Sequence, residues 1–244
     1  MNYVNQLARQ EFKYFISSSE LIVLRSLLKH IMKLDHYADP HTRQYKVTSL
    51  YFETPESQDL QEKIDGINQR SKYRVRQYNH DGSVIKFEIK KKCGNVIEKK
   101  SAMVDHATVL ELCKGSYEVL KNIDNKFLND AYIRLKIQGY QPKVIVEYDR
   151  EAYTLPYGNI RISFDRNLVT YNTDTNLLDI KTTGVPVLDA DIHILEVKSS
   201  IGIPTHIRKI IQQVSATRTA ASKYVFSRRF TDHHRWRDTH NNPF

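Results

Sequence analysis

Charged or polar side chains occupy every second position in several segments of this sequence, and apolar side chains fill many of the positions between them. Successive side chains of a β-strand point to opposite faces of a sheet, so each segment predicts a strand with one polar and one largely apolar face. The alternating positions are Arg9, Glu11 and Lys13; Lys72, Arg74 and Arg76; Lys86, Glu88 and Lys90; Arg161, Ser163 and Asp165; and Glu196 and Lys198.

Two arrangements can accommodate such faces. In an ordinary antiparallel sheet the charged face is solvated and the other face covers a core. Here, however, one face often carries several cations with a single carboxylate, and like charges directly opposite one another destabilise a sheet. A sheet curled around a bound polyanion accommodates these charges better. The pattern therefore favours an α+β fold: an antiparallel eight-stranded β-barrel tunnel with a polar, basic lumen, flanked by helices.

The order of the elements follows from periodicity and turn signals. Helices are predicted for Glu20–Leu34, for a short connection ending at Lys63, for about Asp105–Gln138 with an interruption near Gly115, and for Pro204–Thr217. The eight predicted strands are Arg9–Ile16, Gln44–Glu53, Lys72–Tyr78, Val84–Lys91, Val96–Met103, Lys143–Tyr153, Asn159–Asp165 and His193–Ser199. Without a linker or repeat between them, residues 1–226 are expected to form one domain, followed by a basic, flexible tail over 227–244.

The charge balance indicates the class of partner. Lys and Arg total 37 against 28 Asp and Glu, a formal net charge of +9. A basic domain usually meets a polyanion: nucleic acid, an anionic membrane surface or a phosphorylated small molecule. No segment approaches the roughly 18 consecutive apolar residues of a membrane span, and the polar start of the chain lacks a secretory signal. Two cysteines, Cys93 and Cys113, form no CxxC pair, which favours a reducing, cytoplasmic location.

Nine motifs along the chain point to a known family. They are RQEFKYFIS at 9–17, VTSLYFETP at 47–55, EKIDG at 62–66, RSKYRVRQY at 70–78, KFEIKKK at 86–92, VIVEYDREAY at 144–153, IRISFDRNL at 160–168, ILEVKSS at 194–200 and SKY at 222–224. In this order, and over almost the whole chain, they resemble the VTC domain. This is the polyphosphate-polymerase family within the triphosphate tunnel metalloenzyme (CYTH-like) superfamily.

The resemblance implies an enzyme that transfers the γ-phosphate of ATP, or of another nucleoside triphosphate, to inorganic polyphosphate, with Mg²⁺ or Mn²⁺ as cofactor. The implied catalytic residues are Arg74, Arg76, Lys90, Arg150 and Arg161. The implied phosphate-binding residues are Lys13, Lys99, Tyr148, Lys198, Ser222 and Lys223. The implied metal ligands are Glu196 and Glu11. A one-residue slip of the sixth strand would exchange Lys99 for Lys100.

Two positions depart from the expected pattern. Ala220 stands where a further basic residue is expected, and Arg9 stands where the hydrolytic branch of the superfamily has a glutamate. Hydrolysis by metal-activated water benefits from several carboxylates, whereas many cations with few carboxylates favour holding phosphates for in-line transfer. From the residues alone, Glu196 and Glu11 could instead be ion-pair partners, and Lys63 a solvated helix residue outside the site.

Two other functions are compatible with the same pattern. One is a tunnel triphosphatase that hydrolyses inorganic or nucleoside triphosphate, and the other is a non-catalytic polyphosphate-binding module. Nucleic acid is not an expected partner, because Tyr73 and Tyr78 could stack on bases but no nucleic-acid motif accompanies them. Whether product passes to a membrane-protein partner, which this chain does not encode, is left open by the sequence.

Overall fold

A computed structural model describes residues 10–94, 96–171 and 176–231 of the chain. These residues form an antiparallel sheet in which eight strands are long and three have two residues each. The long strands are β1 (Gln10–Ser17), β3 (Tyr45–Glu53), β4 (Gln69–Tyr78), β5 (Lys86–Cys93), β6 (Val96–Met103), β7 (Gln141–Leu155), β8 (Ile160–Tyr171) and β10 (Ile192–Ser199). The short ones are β2 (Lys33–Leu34), β9 (Val185–Pro186) and β11 (Thr217–Arg218).

The strand order is β11-β1-β10-β8-β7-β3-β4-β5-β6, with β2 also on β7 and β9 on β8. The α+β class, the antiparallel sheet and the flanking helices are confirmed, and the eight predicted strands correspond to the eight long ones. The sheet has more strands than the predicted barrel, and backbone hydrogen bonds do not close it within the described ranges. One reason lies at β1, whose free edge is partly occupied by β11 at Tyr14 and Phe15, while β6 pairs with β5 alone.

Seven helices cover the described parts of the chain: α1 (Ser18–Leu28), α2 (Gln58–Ile64), α3 (His106–Cys113), α4 (Glu118–Lys121), α5 (Lys126–Ile137), α6 (Thr205–Ile211) and α7 (Lys223–Thr231). A capping box fixes the start of α1, since the Glu20 amide donates to Ser17 Oγ and the Ser17 amide donates to the Glu20 carboxylate. The helix ends six residues earlier than predicted, because Lys33 and Leu34 pair with β7.

Two other predicted helices are broken by the tertiary structure. The block from Asp105 to Gln138 is three helices, separated by Gly115 in the left-handed region (φ 78°) and by Asn125, whose side chain accepts from the first amides of α5. The predicted helix over Pro204–Thr217 is reduced to α6, because Thr217 joins the sheet as part of β11.

The C-terminal part of the described chain is more ordered than the sequence pattern suggested. The tail was expected to begin at Ser227, but α7 continues to Thr231, and both Ser227 and Arg228 are buried. The rest of the predicted tail, residues 232–244, lies outside the described residues. Among the helices of the described chain, none has the length and apolar character that crossing a bilayer requires.

The apolar strand faces pack outward against helices. One cluster joins β3, β4 and β5 to α3, α4 and α5, and a second joins β8 and β10 to α1 and α6. A third cluster lies on the inner face, where Val47, Val146 and Tyr148 pack with Tyr224 of α7. Because helices cover the outer apolar faces, the charged faces of the strands point into the concave side of the sheet.

Candidate functional site

The concave side of the sheet holds a cavity of about 350 Å³. Among the described residues that line it are twelve Lys and Arg side chains but two carboxylates, Glu11 and Glu196. The cations are Lys13, Lys63, Arg70, Lys72, Arg74, Arg76, Lys90, Lys92, Arg150, Lys198, Arg218 and Lys223. Tyr51, Tyr148, Ser222 and Tyr224 add hydroxyl groups to the lining.

Glu196 lies at the centre of one group of these cations, which we call the Glu196 cluster (Lys13, Arg150, Lys198 and Lys223). Its Oε1 lies 2.8 Å from Lys223 Nζ and 3.6 Å from Lys13 Nζ. Its Oε2 lies 3.1 Å from Lys198 Nζ and 3.2 Å from Arg150 Nη2. Burial alone would raise the pKa of Glu196, but the four cations, Lys198 foremost, hold it well below its usual value. Glu196 is therefore a fully ionised carboxylate.

Asp165 forms ion pairs with two members of this cluster, Arg150 and Lys223. It accepts from Arg150 Nε at 2.6 Å and Nη2 at 2.7 Å, a bidentate pair, and lies 2.5 Å from Lys223 Nζ. Burial opposes its ionisation, but Arg150 and Lys223 keep the pKa of Asp165 below its usual value. The pair forms because β7 and β8 place Arg150 directly opposite Asp165. Asp165 thus fixes the direction in which Arg150 and Lys223 point.

Two further carboxylates hold the cations of the neighbouring strands. Glu11 lies 3.4 Å from Lys13 and 3.3 Å from Lys90, and although burial opposes it, these cations and Lys198 lower the pKa of Glu11 to about 2. Glu88 accepts from Arg74 Nε at 2.7 Å and pairs with Lys99. Glu11, Glu88, Asp165 and Glu196 are therefore ionised and already engaged with cations.

The remaining cations near β4 form a different group, which we call the cationic ladder (Lys63, Arg70, Lys72 and Lys92). None of the four lies within ion-pair distance of a carboxylate in the described chain. The β4–β5 register sets Arg70 directly opposite Lys92, and Lys72 directly opposite Lys90. Burial, and secondarily the neighbouring Lys63, lower the pKa of Lys72 to about 7. Glu62 raises the pKa of Arg70 and Asp59 that of Lys72, against the effect of burial, but neither carboxylate lies within ion-pair distance of the ladder.

The structure brings eleven of the thirteen predicted site residues to the cavity: Lys13, Arg74, Arg76, Lys90, Arg150, Tyr148, Lys198, Ser222, Lys223, Glu196 and Glu11. Arg161 does not line it, because Asp35 at 2.5 Å and the Tyr45 hydroxyl at 2.7 Å hold its guanidinium. Lys99 does not line it either, since it pairs with Glu88, but it lies opposite Lys90 on β5. Lys100 is on the outer side with Glu98. Strand β6 therefore turns Lys99, and not Lys100, toward the face that carries Lys90.

The predicted site residues did not include the cationic ladder, Arg218 or Tyr51, although the sequence analysis placed Lys72 on the charged face of its strand and weighed Lys63 before leaving it outside the site. Arg70 and Lys72 continue the alternation of Arg74 and Arg76, so the signal for both was present in β4. Lys92 likewise continues the alternation of Lys86, Glu88 and Lys90. No such signal exists for Lys63, since only the tertiary position of α2 turns it toward the cavity.

The fold and the cavity lining define a class of protein, in which a curved antiparallel sheet surrounds a strongly cationic cavity that can hold a polyanion. The family model of the VTC domain matches residues 8–231. The chain therefore belongs to the VTC domain family. A comparison with curated protein sequences gives no significant match.

Solved structures share the fold at low sequence identity. The protein HpAC1 from Hippeastrum, which shows a dominant triphosphatase activity, is 11% identical with a TM-score of 0.52, over 89% of this chain and 94% of that one. A Bacillus halodurans protein provisionally named an adenylate cyclase is 13% identical with a TM-score of 0.48, over 84% of this chain and 88% of that one. At such identities the likeness to the Hippeastrum protein concerns the fold alone.

Proposed function

We propose that this chain is a polyphosphate polymerase, which transfers the γ-phosphate of ATP or another nucleoside triphosphate to the end of an inorganic polyphosphate chain. One observation carries the proposal: among the described residues, twelve cations and two carboxylates line a single cavity, and both carboxylates are engaged in ion pairs. Such a lining binds long stretches of phosphate but offers few carboxylates to orient an attacking water.

Arg74, Arg76 and Arg150 are suited to hold the donor triphosphate. A planar guanidinium grips two phosphate oxygens at once, and neighbouring groups fix all three side chains. Arg74 donates to Glu88 and to the Tyr51 hydroxyl at 3.0 Å, Arg76 donates to Ser49 Oγ at 3.0 Å, and Asp165 holds Arg150. Because these arginines are already oriented, little side-chain entropy is lost when phosphate binds.

The transfer itself needs positioning and positive charge more than a proton acceptor. A terminal oxygen of the polyphosphate acceptor forms a bond to the γ-phosphorus, the bond from that phosphorus to the β–γ bridging oxygen breaks, and nucleoside diphosphate leaves with the electron pair. A phosphate terminus loses its second proton near pH 6, so the acceptor is already ionised at neutral pH. In this proposal Lys198, Lys223 and Lys90, which line the cavity, balance the negative charge that accumulates during transfer.

Mg²⁺ or Mn²⁺ is the proposed cofactor, and the residues present fit it. In the described residues no three His, Cys, Asp or Glu side chains form a metal cage. Mg²⁺ in phosphate-transfer sites is commonly held by one or two carboxylates together with substrate phosphates. Glu196 and Glu11 supply two ionised carboxylates that share contact with Lys13. When bound there, the metal would neutralise charge on the phosphate oxygens.

The test is incubation of purified protein with ATP and Mn²⁺ or Mg²⁺, with products resolved on a gel stained for polyphosphate and free phosphate assayed in parallel. The proposal predicts a ladder of long chains that is lost in Arg74→Ala and Glu196→Gln. Two matched controls are Lys100→Ala and Glu98→Gln, which change charges on the outer face of β6 and are expected to retain activity.

Other outcomes would assign another function. Free phosphate without chains would overturn the proposal in favour of a triphosphatase. Tight binding of polyphosphate with neither product, in every metal tested, would overturn it in favour of a binding module.

A further inference from the structure

A buried carboxyl group without a cation lies at the start of α2. Asp59 is 4% exposed, and no Lys, Arg or His side chain of the described residues lies within ion-pair distance of it. Its Oδ1 accepts from the Tyr140 hydroxyl at 3.0 Å, whereas its Oδ2 is buried and has no hydrogen-bond partner in the described chain. Ionisation of such a group is costly, so it keeps its proton instead. Asp59 differs in this respect from Glu11 and Glu196, which contact several cations.

The neighbour of Asp59 is a second carboxyl group. Glu53, at the end of β3, accepts hydrogen bonds at both oxygens, from the amides of Thr54, Asp59 and Leu60 and from the Tyr224 hydroxyl. Donors at both oxygens hold Glu53 as the carboxylate. An ionised Asp59 would therefore place a second negative charge in the same buried region. Burial foremost, and then Glu53, raise the pKa of Asp59 to about 8.

The other charged groups near Asp59 do not offset this effect. Tyr140 and Lys72 favour the charged form of Asp59, whereas Glu62 disfavours it. The Nζ atom of Lys72 lies 4.4 Å from the centre of the Tyr224 ring rather than at ion-pair distance from Asp59. The elements packed around Asp59 and its contacts present these titratable groups: Glu53 of β3, Lys72 and Tyr73 of β4, Glu62 and Lys63 of α2, Arg134 of α5, Tyr140 before β7, and Tyr224 and Arg228 of α7.

Helix α2 is held less firmly than the strands around it. It has seven residues, and its buried positions are Asp59 and Leu60 alone. Ser57, which precedes it, has a left-handed backbone (φ 60°) and forms no side-chain cap, an unfavourable conformation for a residue other than glycine. By contrast, β3, β4 and β7 each pair with strands on both sides. A short helix with one buried apolar side chain opens more easily than such strands. Because α2 carries Lys63, its opening would remove this cation from the cavity lining.

We propose that Asp59 makes the packing of α2 dependent on pH: the helix packs against β3 while Asp59 is a neutral acid, and rising pH favours the open helix because opening lets Asp59 lose its proton to solvent. In the open state Lys63 leaves the cavity. The inference goes beyond the proposed function, because this conformational change needs neither ATP nor polyphosphate.

The sign and the size of the effect follow from the two protonation equilibria. An aspartate in the open helix titrates near 3.9, whereas burial and Glu53 hold the pKa of the packed Asp59 at about 8. Between these values the packed state binds one proton more than the open state. The opening equilibrium should therefore rise by about tenfold per pH unit and level off above about pH 8, where both states are ionised.

The first test follows hydrogen exchange of the α2 amides, including that of Lys63, in the full chain from about pH 5 to 9, corrected for intrinsic exchange. Protection of α2 should fall by about tenfold per pH unit up to about pH 8, and β7 and β8 should stay more protected than α2 at every pH. Asp59→Asn, which has no proton to release, should abolish this dependence. Asp65→Asn is the matched control, since Asp65 is exposed at the end of the same helix, and it should retain the dependence.

The second test uses Tyr140→Phe, which keeps Asp59 but removes the hydroxyl that donates to it. Because this bond lowers the pKa of Asp59, its loss should move the pH at which protection levels off to a higher value. Protection of α2 that does not change with pH, or that changes equally in the native protein and in Asp59→Asn, would overturn the proposal. A levelling pH that Tyr140→Phe leaves in place would also overturn it. Thermal melts at pH 6 establish that each variant is folded, and Tyr140→Phe carries the test if Asp59→Asn does not fold.

Discussion

Glu196 is a single buried carboxylate that four cations share. Because of this arrangement, its charge contributes to the stability of the fold even before any substrate binds. Glu196→Gln leaves the four cations without their common partner, and removal of one member of a buried ion pair typically costs about 3–5 kcal/mol. We expect a loss of this size in urea denaturation without phosphate. Inorganic triphosphate in EDTA should restore more stability to the variant than it adds to the native protein, because the anion replaces the missing charge.

The control for this experiment is Glu98→Gln, which removes an exposed carboxylate on β6 and should change stability by less than about 1 kcal/mol. Equal stabilisation of the native protein and of Glu196→Gln by triphosphate would show that the anion does not bind beside the Glu196 cluster.

Lys72 makes the opposite contribution to stability. Its pKa is about 7 in the folded protein, because burial and then Lys63 disfavour its charged form, whereas an unfolded lysine titrates near 10.4. Between these values the unfolded chain binds more protons, so this residue makes stability rise with pH across that window, and its full cost is present below about pH 7. Lys72→Met should therefore raise the melting temperature at pH 6 by a few degrees.

The gain should shrink as the pH approaches 10, where Lys72 is neutral in the folded protein and increasingly so in the unfolded chain. Melting curves of the native protein and of Lys72→Met from pH 6 to 10 measure this difference in melting temperature. A lower melting temperature for Lys72→Met at pH 6 would contradict the assignment of Lys72 as a charge that is retained for binding at the expense of stability.

At the scale of elements, Glu53 connects two helices that border the cavity. Its buried carboxylate accepts from the backbone amides of Asp59 and Leu60 at the start of α2, each at 3.0 Å, and from the hydroxyl of Tyr224 on α7. Arg228 of α7 lies 3.5 Å away. Because α2 carries Lys63 and α7 carries Lys223, one carboxylate at the end of β3 fixes the elements that bring both cations to the cavity.

Glu53→Gln should loosen both helices together. The amide cannot balance the charge of Arg228, and the expected loss of stability is about 3–5 kcal/mol. Hydrogen exchange should show faster exchange in α2 and α7 than in β7 and β8. Glu118→Gln, which alters an exposed pair with Lys136, is the matched control. Loss of protection in α7 with α2 unchanged would show that Glu53 does not couple them.

The elements also show what the sequence could and could not predict. Alternation placed Lys13, Arg74, Lys90 and Glu196 on the inner face correctly, because a strand's period of two depends only on local geometry. Contacts between side chains that are distant in sequence could not be predicted from this pattern. Arg161 was expected at the phosphates, yet Asp35, in the loop after β2, holds it elsewhere.

Helix ends were misplaced for the same reason. The backbone of Lys33 and of Thr217 could continue a helix, but each pairs with a strand far away in sequence. The basic composition from Ser227 onward resembled a tail, although residues 227–231 belong to α7, where Arg228 is buried and donates to the Tyr224 hydroxyl and to Ser57 Oγ. Such long-range contacts leave no periodic signal in the sequence.

For the whole molecule, the location of the positive charge says more about the ligand than the total charge does. The described residues that line the cavity carry an excess of ten positive charges when every lysine and arginine is counted as charged, and the formal net charge of the entire chain is +9. The remainder of the protein is therefore nearly neutral. A protein that bound duplex nucleic acid through its surface would instead need a broad exposed basic face.

This distribution predicts selectivity for thin polyanions. Duplex DNA should not displace a labelled short polyphosphate at equal phosphate concentration, because a rigid double helix cannot enter a cavity of about 350 Å³, whereas unlabelled polyphosphate should displace it fully. Fluorescence anisotropy measures both competitions. Equal displacement by DNA would place the polyphosphate on the outer surface.

The concentration of like charge also predicts opposite effects of salt on the free and bound protein. Without a ligand, ions screen repulsion within the cavity, so raising NaCl from about 50 to 500 mM, which shortens the Debye length from roughly 14 to 4 Å, should raise the melting temperature. With polyphosphate present, the same salt weakens binding, and the stabilisation by ligand, which follows RT ln(1 + [L]/Kd), should decline. The two melting temperatures should therefore converge as salt increases.

In the Lys72→Met, Lys92→Gln double variant the free protein should respond less to salt, because part of the repulsion is gone. A salt response equal to that of the native protein would mean that the repulsion lies outside the cationic ladder.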